Sequence, residues 1–257
     1  MSSVATLSLL LAPSTMPAAD YLHTIQKKES IRGYYDRTIE FFTKKVPEAF
    51  DKKLTLAYKY IDLITPILDE KGIPADIAYL PLIESGFSPF AVGAGDAVGL
   101  WQFVRGTAQK YGLKIDTYVD ERKDPVKSTR AAAHYLKDLY RLFGKWDLAL
   151  AAYNAGEGKV RNYQKSNAQY LPDFLNRYIG TFVAVAAIAR DPERYGFQPN
   201  DDMHDEDYVE ITTDQSISLK TLAAKYDTTV KTIREMNPAL LTDYTPPYAY
   251  RLRLPTY

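Results

Sequence analysis

The chain has no cysteine. That removes disulfides, thiolate nucleophiles, zinc–thiolate sites and a lipid-modified cysteine from consideration within these residues. It also has no excess of either charge: 32 lysines and arginines balance 32 aspartates and glutamates. No electrostatic argument therefore favours nucleic acid or an anionic membrane as partner. Histidine is scarce, and His23, His134 and His204 are scattered, without the spacing of a paired ligand set or of a His-Ser-Asp arrangement. No metal or other cofactor is expected. Long apolar runs are lacking as well. Residues 4–12 (VATLSLLLA), followed by residues 16–19 (MPAA), have the apolar block and small residues of a secretory signal, but no basic stretch precedes them. They fall far short of the roughly 20 residues that span a bilayer. Residues 1–30 are read as an N-terminal arm, with no transmembrane segment and no lipid anchor expected.

What is present suffices for one large domain, or a medium and a small one, with a sizeable core: 257 residues, 13% aromatic, including 21 tyrosines. Tyrosine joins a flat apolar face to a polar tip, which suits both cores and grooves that hold sugars. Over residues 31–190, apolar residues recur at three- and four-residue spacing, as in Ile31, Tyr34, Tyr35, Ile39 and Phe42, then Leu54, Ala57, Tyr58, Ile61 and Ile64. Asp124 and Pro125 offer an N-cap and first-turn proline for a helix that Gly144 closes. Pro74 suits the start of a helix ending near Glu84, Gly112 the end of a short one from Gly106, and residues 173–190 a central helix of small residues. Residues 191–207 (DPERYGFQPNDDMHDED) are polar, acidic and proline-containing, and read as a linker. Beyond it, strand-like alternation at 208–211 and 250–254 brackets two short helical stretches at 218–226 and 230–236. The expected fold is mainly α, a helical domain over 31–190 followed by a small βααβ module over 208–257, too small to stand far from a support.

The segment YLPLIESGFSPFAVGAGDAVGLWQF, residues 79–103, carries the chemistry. Glu84 sits among Ile77, Leu80, Leu82 and Ile83, where ionisation is costly, so its pKa should rise. A glutamate protonated near neutral pH can act as a general acid. Alternatively the side chain escapes to solvent where Ser85 and Gly86 break the helix, and the residues alone weigh the two about equally.

The motifs bear on that choice. Glu84-Ser85-Gly86-Phe87, then Gly99-Leu100-Trp101-Gln102-Phe103, then Ala152-Tyr153-Asn154-Ala155-Gly156 resemble the ordered motif series of family 1 lytic transglycosylases, with the goose-lysozyme-like fold. The similarity is strongest to the membrane-bound lytic murein transglycosylase D type and runs from about residue 31 to 189. Leu222-Ala223, Tyr226 and Asn237-Pro238 resemble a LysM module, although Thr213-Asp214-Gln215-Ser216-Ile217 replaces its usual Gly-Asp-Thr/Ser-Leu opening. The resemblance implies cleavage of the MurNAc-β-1,4-GlcNAc bond of peptidoglycan by Glu84 alone, leaving 1,6-anhydro ends. It implies a monomer in the periplasm or secreted, acting on glycan strands. It places Ser85, Trp101, Gln102, Tyr153, Asn154 and a late tyrosine, Tyr178, along the substrate groove.

Two positions depart from the family pattern. Gly93 stands where a serine is usual, and Asp96 where a glycine or small amide is usual. Phe174 and Leu175 also replace the acid and threonine expected before Tyr178. Asp96 is open to three readings: an ordinary turn residue, a second carboxylate activating water in a hydrolytic muramidase, or a partner for the free amine of deacetylated glycan. Inverting hydrolysis would want it roughly 6.5–9.5 Å from Glu84. A non-catalytic wall-binding protein that has kept the groove, and a helical scaffold for protein partners, are the readings from other function classes.

Overall fold

The protein is described here from a computed structural model that covers Ile25 and residues 28–166, 171–199 and 208–256. The signal-like residues 4–19, most of the N-terminal arm, His23, His204 and much of the acidic linker lie outside the described residues. Helix α1 (Glu29–Glu40) runs through a π-turn at Phe41–Lys45 into α2 (Pro47–Asp69). A 3-10 turn (Ala75–Tyr79) leads to the single-turn α3 (Pro81–Glu84), and an irregular stretch of chain reaches α4 (Arg105–Lys110). Then follow α5 (Pro125–Phe143), α6 (Trp146–Ala155), α7 (Glu157–Lys165) and α8 (Asp173–Arg190). Strand β1 (Tyr208–Thr213), α9 (Leu219–Lys225), α10 (Val230–Met236) and β2 (Tyr250–Pro255) follow, so the described residues are mainly helical with one two-stranded sheet.

Local chemistry sets several boundaries where the sequence places them. The Asp124 carboxylate accepts from the Lys127 amide 2.8 Å away, Pro125 opens α5, and Gly144 takes the left-handed conformation that ends it. Residues 75–84 differ from the single helix expected there. Pro81 has no N–H to continue a helical ladder, so the chain closes a 3-10 turn and restarts α3 at the proline. Gly86 and Phe87, both at φ 61°, then end it.

Helix α8 is the central element: Leu175, Ile179, Phe182, Val183 and Ile188 are all buried, and α1, α3 and α6 pack on it. The approach of α1 is close enough to need a glycine. A Cβ on Gly180 would lie 2.6 Å from Tyr34 Cβ and 3.1 Å from the Ile31 carbonyl oxygen. Packing of this unit runs past Arg190, because Phe197 is buried with its ring 5.5 Å from Phe50, and Tyr195 meets Tyr35 hydroxyl to hydroxyl at 3.2 Å. Tyr195 and Phe197 therefore anchor the described part of the expected linker on the helical unit, while most of its other residues are exposed.

The C-terminal residues have their own core of Leu219, Leu222, Ala223, Ile233, Leu240, Tyr250, Leu252 and Leu254. Strands β1 and β2 pair antiparallel in the register Ile211 to Leu252 and Thr213 to Tyr250. Asn237 binds this layer together: its amide donates to the Ile233 and Arg253 carbonyls, and its oxygen accepts from the Arg253 amide. One member of this core comes from the helical unit. Val119, fully buried, projects from a hairpin at residues 114–121, and its neighbours exchange backbone bonds with the module: Asp120 N–H to Ala239 O and Leu241 N–H to Tyr118 O, both 2.8 Å.

Candidate active site

Three helices converge on Glu84. It closes α3 over Ile77, Leu80 and Leu82, all buried, while its own side chain stays partly open to solvent. Tyr178, one face of the central helix α8, donates its hydroxyl to Glu84 Oε1. Burial pushes the Glu84 carboxyl above the usual carboxylate range, and the Tyr178 bond offsets part of that rise by favouring the ionised form. The effects on Tyr178 and Tyr153 are reciprocal: burial first, then the nearby Glu84 charge, drives both phenols well above the ordinary value, so both stay protonated donors. Tyr153, from α6, packs against Tyr135 and Phe103 and donates to the Trp101 carbonyl at 2.7 Å.

The residues after α3, expected as the floor of a groove, are braced as a loop by their own hydrogen bonds. Ser85 Oγ donates to Leu100 O at 2.9 Å, tying the end of α3 to the return of the loop. Within the loop, Gly93 N–H bonds Ala97 O, Val98 N–H bonds Phe103 O, and Gly99 N–H bonds Ala91 O. The Trp101 indole is fully buried, with its N–H on Thr129 Oγ1 at 2.9 Å. It is thus a pillar beneath that loop: the indole is out of a ligand's reach, and its backbone carbonyl holds Tyr153. Gln102, in the left-handed region at φ 48°, folds its amide back onto Gly99 O at 2.9 Å. Its carbonyl end stands over Gly93, where a Cβ would lie 2.2 Å from Gln102 Oε1. A serine at position 93 would displace that amide, so Gly93 and Gln102 fit as a pair. Asn154 is exposed at the end of α6, and Gly156, not an Asn154 side chain, precedes α7 without a side-chain cap.

Asp96 is held differently. It is exposed, in the left-handed region at φ 59°, and its Oδ2 lies 3.2 Å from Arg122 Nη1 and 3.9 Å from Arg105 Nε. A free amine on substrate would compete there with two guanidinium groups. Sequence reasoning did not single out Arg122, which is fully buried. It grips Asp120 through Nε and Nη2, at 2.9 and 2.7 Å to Oδ1 and Oδ2, and donates Nη1 to the Asp96 and Phe103 carbonyls at 2.6 and 3.2 Å. Its own carbonyl faces Gly99, where a Cβ would come within 2.0 Å. In sequence it belongs to the charged run Asp120-Glu121-Arg122-Lys123-Asp124, which reads as a solvated surface.

A separate hollow of about 370 Å³ opens at the junction of hairpin and module, lined by Lys114, Glu121, Lys127, Tyr248 and Arg251 among others, and contains none of the residues around Glu84. Among the described residues, no group of three or more histidine, aspartate or glutamate side chains is placed to hold a metal ion. No helix among them is long and apolar enough to cross a membrane.

Residues 67–174, which hold Glu84, the floor loop, Arg122 and Tyr153, match the family model "Transglycosylase SLT domain". The chain carries a transglycosylase SLT domain. It is homologous to the membrane-bound lytic murein transglycosylase D of Escherichia coli (strain K12), 34% identical over 151 residues that make up 54% of this chain and 33% of that protein. A putative tributyltin chloride resistance protein of Alteromonas sp. (strain M-1) is 37% identical over 109 residues, 42% of this chain and 53% of that one. The chain thus spans about a third to a half of the length of these relatives. The 70 kDa soluble lytic transglycosylase SLT70 of Escherichia coli superposes with a TM-score of 0.47 at 21% identity, covering 71% of this chain and 33% of that one. The SLT match ends at residue 174, so Tyr178 and the C-terminal module lie beyond it.

Proposed function

We propose that this chain cuts peptidoglycan glycan strands at the MurNAc-β-1,4-GlcNAc bond as a lytic transglycosylase, with Glu84 as the catalytic residue. The observation that carries the reading is the setting of Glu84 inside the SLT domain: apolar helix beneath, one phenol bonded to the carboxyl, a second beside it, and the side chain still partly open. Protonated Glu84 donates to the glycosidic oxygen as the C1–O bond breaks and positive charge develops on the muramoyl ring. The bonding pair leaves with that oxygen. The Glu84 carboxylate then takes the proton of the muramoyl C6 hydroxyl, whose oxygen closes onto C1 to give the 1,6-anhydro end. Glu84 finishes protonated, as it began, and no water is consumed. The substrate's N-acetyl group can assist as an internal nucleophile. Tyr178 keeps the carboxylate form accessible for the second half of the cycle, while burial keeps the acid form populated for the first.

The residues at 208–256 are read as a divergent LysM-like module that binds the same glycan, supported by the strand-helix-helix-strand order and the Asn237 tie. A monomer acting in the periplasm or outside the cell completes the proposal. The competing hydrolytic reading needs Asp96 free to activate water, and its carboxylate faces Arg122 and Arg105 instead. The wall-binding reading is separated by incubating purified sacculi with the wild-type chain and Glu84→Gln. Soluble fragments released by the first and not by the second are expected. Sacculi that both variants bind and neither degrades would establish the non-catalytic alternative.

A further inference from the structure

Arg122 links two parts of the molecule that the catalytic reading leaves separate. On one side its Nη1 donates to the carbonyls of Asp96 and Phe103, which bracket the second half of the floor loop. On the other, Nε and Nη2 grip Asp120, whose amide is bonded to Ala239 of the module. A buried guanidinium needs every donor satisfied, because an unpaired buried charge costs far more than a paired one. The two grips therefore cannot be relaxed independently at low cost.

The module fixes the Asp120 end at several points. Val119 fills its core, the Tyr248 hydroxyl donates to Asp116 Oδ2 at 2.6 Å, and Lys114 Nζ lies 3.1 Å above the Tyr248 ring. Within the hairpin, Asp116 Oδ1 accepts from the Tyr118 and Val119 amides at 2.7 and 2.8 Å. Burial works against its ionisation, and the bonds from Tyr248, Val119 and Tyr118 outweigh it, leaving the carboxyl at about 2. The hairpin is thus a charged, hydrogen-bonded strut whose tip is plugged into the neighbouring core.

We propose that Arg122 is a positioning residue for the floor of the glycan groove, and that the C-terminal module holds it in place by clamping the 114–121 hairpin through Val119. The module then acts on catalysis through the fold, in addition to any glycan it binds itself. This rests on the reading that residues 87–103 floor the groove beside Glu84. Glu84 and Tyr178 stand on α3 and α8, outside the strut and joined to the loop through Ser85 on Leu100 O and Tyr153 on Trp101 O, so loosening the strut acts first on where substrate lies.

The test is amide hydrogen exchange on the full chain without substrate, on wild type, Val119→Asp, Val119→Ile and Arg122→Lys, paired with kinetics on a soluble glycan fragment. In Val119→Asp and Arg122→Lys, the amides of Gly93, Val98 and Gly99 are expected to exchange about tenfold faster or more, with those of α5 and α8 still protected. Val119→Ile should behave as wild type. Arg122→Lys should raise KM about five- to tenfold with kcat within about twofold and with the alkaline limb of the pH profile unmoved. Two results would overturn the proposal: wild-type protection of the floor amides while the Arg253 amide opens in Val119→Asp, or simultaneous loss of protection in α5 and α8, which would make the effect general destabilisation. Exchange is read without turnover, so a chain with the coupling but no glycan cleavage would leave the strut standing and refute the proposed activity alone.

Discussion

Glu84 and Asp96 belong to one short segment and occupy opposite electrostatic settings. Glu84 stands on helices, over buried aliphatic side chains, with a phenol as its hydrogen-bond partner and no cation among the causes of its raised pKa. Asp96 stands on a loop, exposed, between Arg122 and Arg105. Apolar burial raises the proton affinity of the first carboxyl, whereas the second is exposed and paired with guanidinium groups. The difference teaches that backbone support goes with electrostatic setting: the helix-borne carboxyl is largely buried over aliphatic side chains, and the loop-borne one is exposed to two cations.

The strongest way to test this contrast is Glu84→Gln, which should lower glycan cleavage by about 10³-fold, the scale of a lost general acid and base, with the helical circular dichroism unchanged. The same variant carries a stability signature. Because the folded-state pKa of Glu84 is raised, its ionisation destabilises the native chain as pH climbs from the ordinary glutamate value of about 4.3 through the raised one. Thermal melts of Glu84→Gln should therefore gain on wild type across that window and match it below. Damage to the platform comes next: Gly180→Leu should cost about 2 kcal/mol or more in urea melts, since the added side chain meets Tyr34 and the Ile31 backbone. Tyr178→Phe should slow cleavage about tenfold. Without the donor the Glu84 pKa rises further, and activity, which needs the protonated acid, should persist to higher pH than in wild type. Asp96→Asn should be the mildest, within about threefold, because Arg122 keeps its bond to the Asp96 carbonyl. A loss on the scale of Glu84→Gln would instead make Asp96 a reacting group.

Much of the helix-borne half of this contrast was legible in the sequence. Asp124, Pro125 and Gly144 delimit α5 through local chemistry, and the apolar neighbours of Glu84 in the sequence point to a raised pKa. Tyr178 is placed near Glu84 by the family resemblance, as a late tyrosine outside the three motifs, and its bond to the carboxyl needs α8 to meet α3. The loop-borne half was far less legible. Pro81 hides a broken helix because the apolar pattern continues across it. Trp101 reads as a groove residue, and the fold turns its indole inward to Thr129. Arg122 sits in a run of charges whose burial depends on Gly99, Asp120 and Phe103 meeting around it, contacts that no local pattern encodes. Gly93 reads as a lost hydroxyl, whereas the structure pairs it with the Gln102 amide.

The central claim, that Glu84 alone cuts the strand and the muramoyl C6 hydroxyl completes the reaction, is tested most directly by mass spectrometry of the fragments released from purified sacculi. Products ending in 1,6-anhydro-N-acetylmuramic acid, with no new reducing ends and none of either from Glu84→Gln, are the predicted result. Reducing ends carrying the mass of an added water would contradict it and make water, not the substrate's own hydroxyl, the group that closes the reaction.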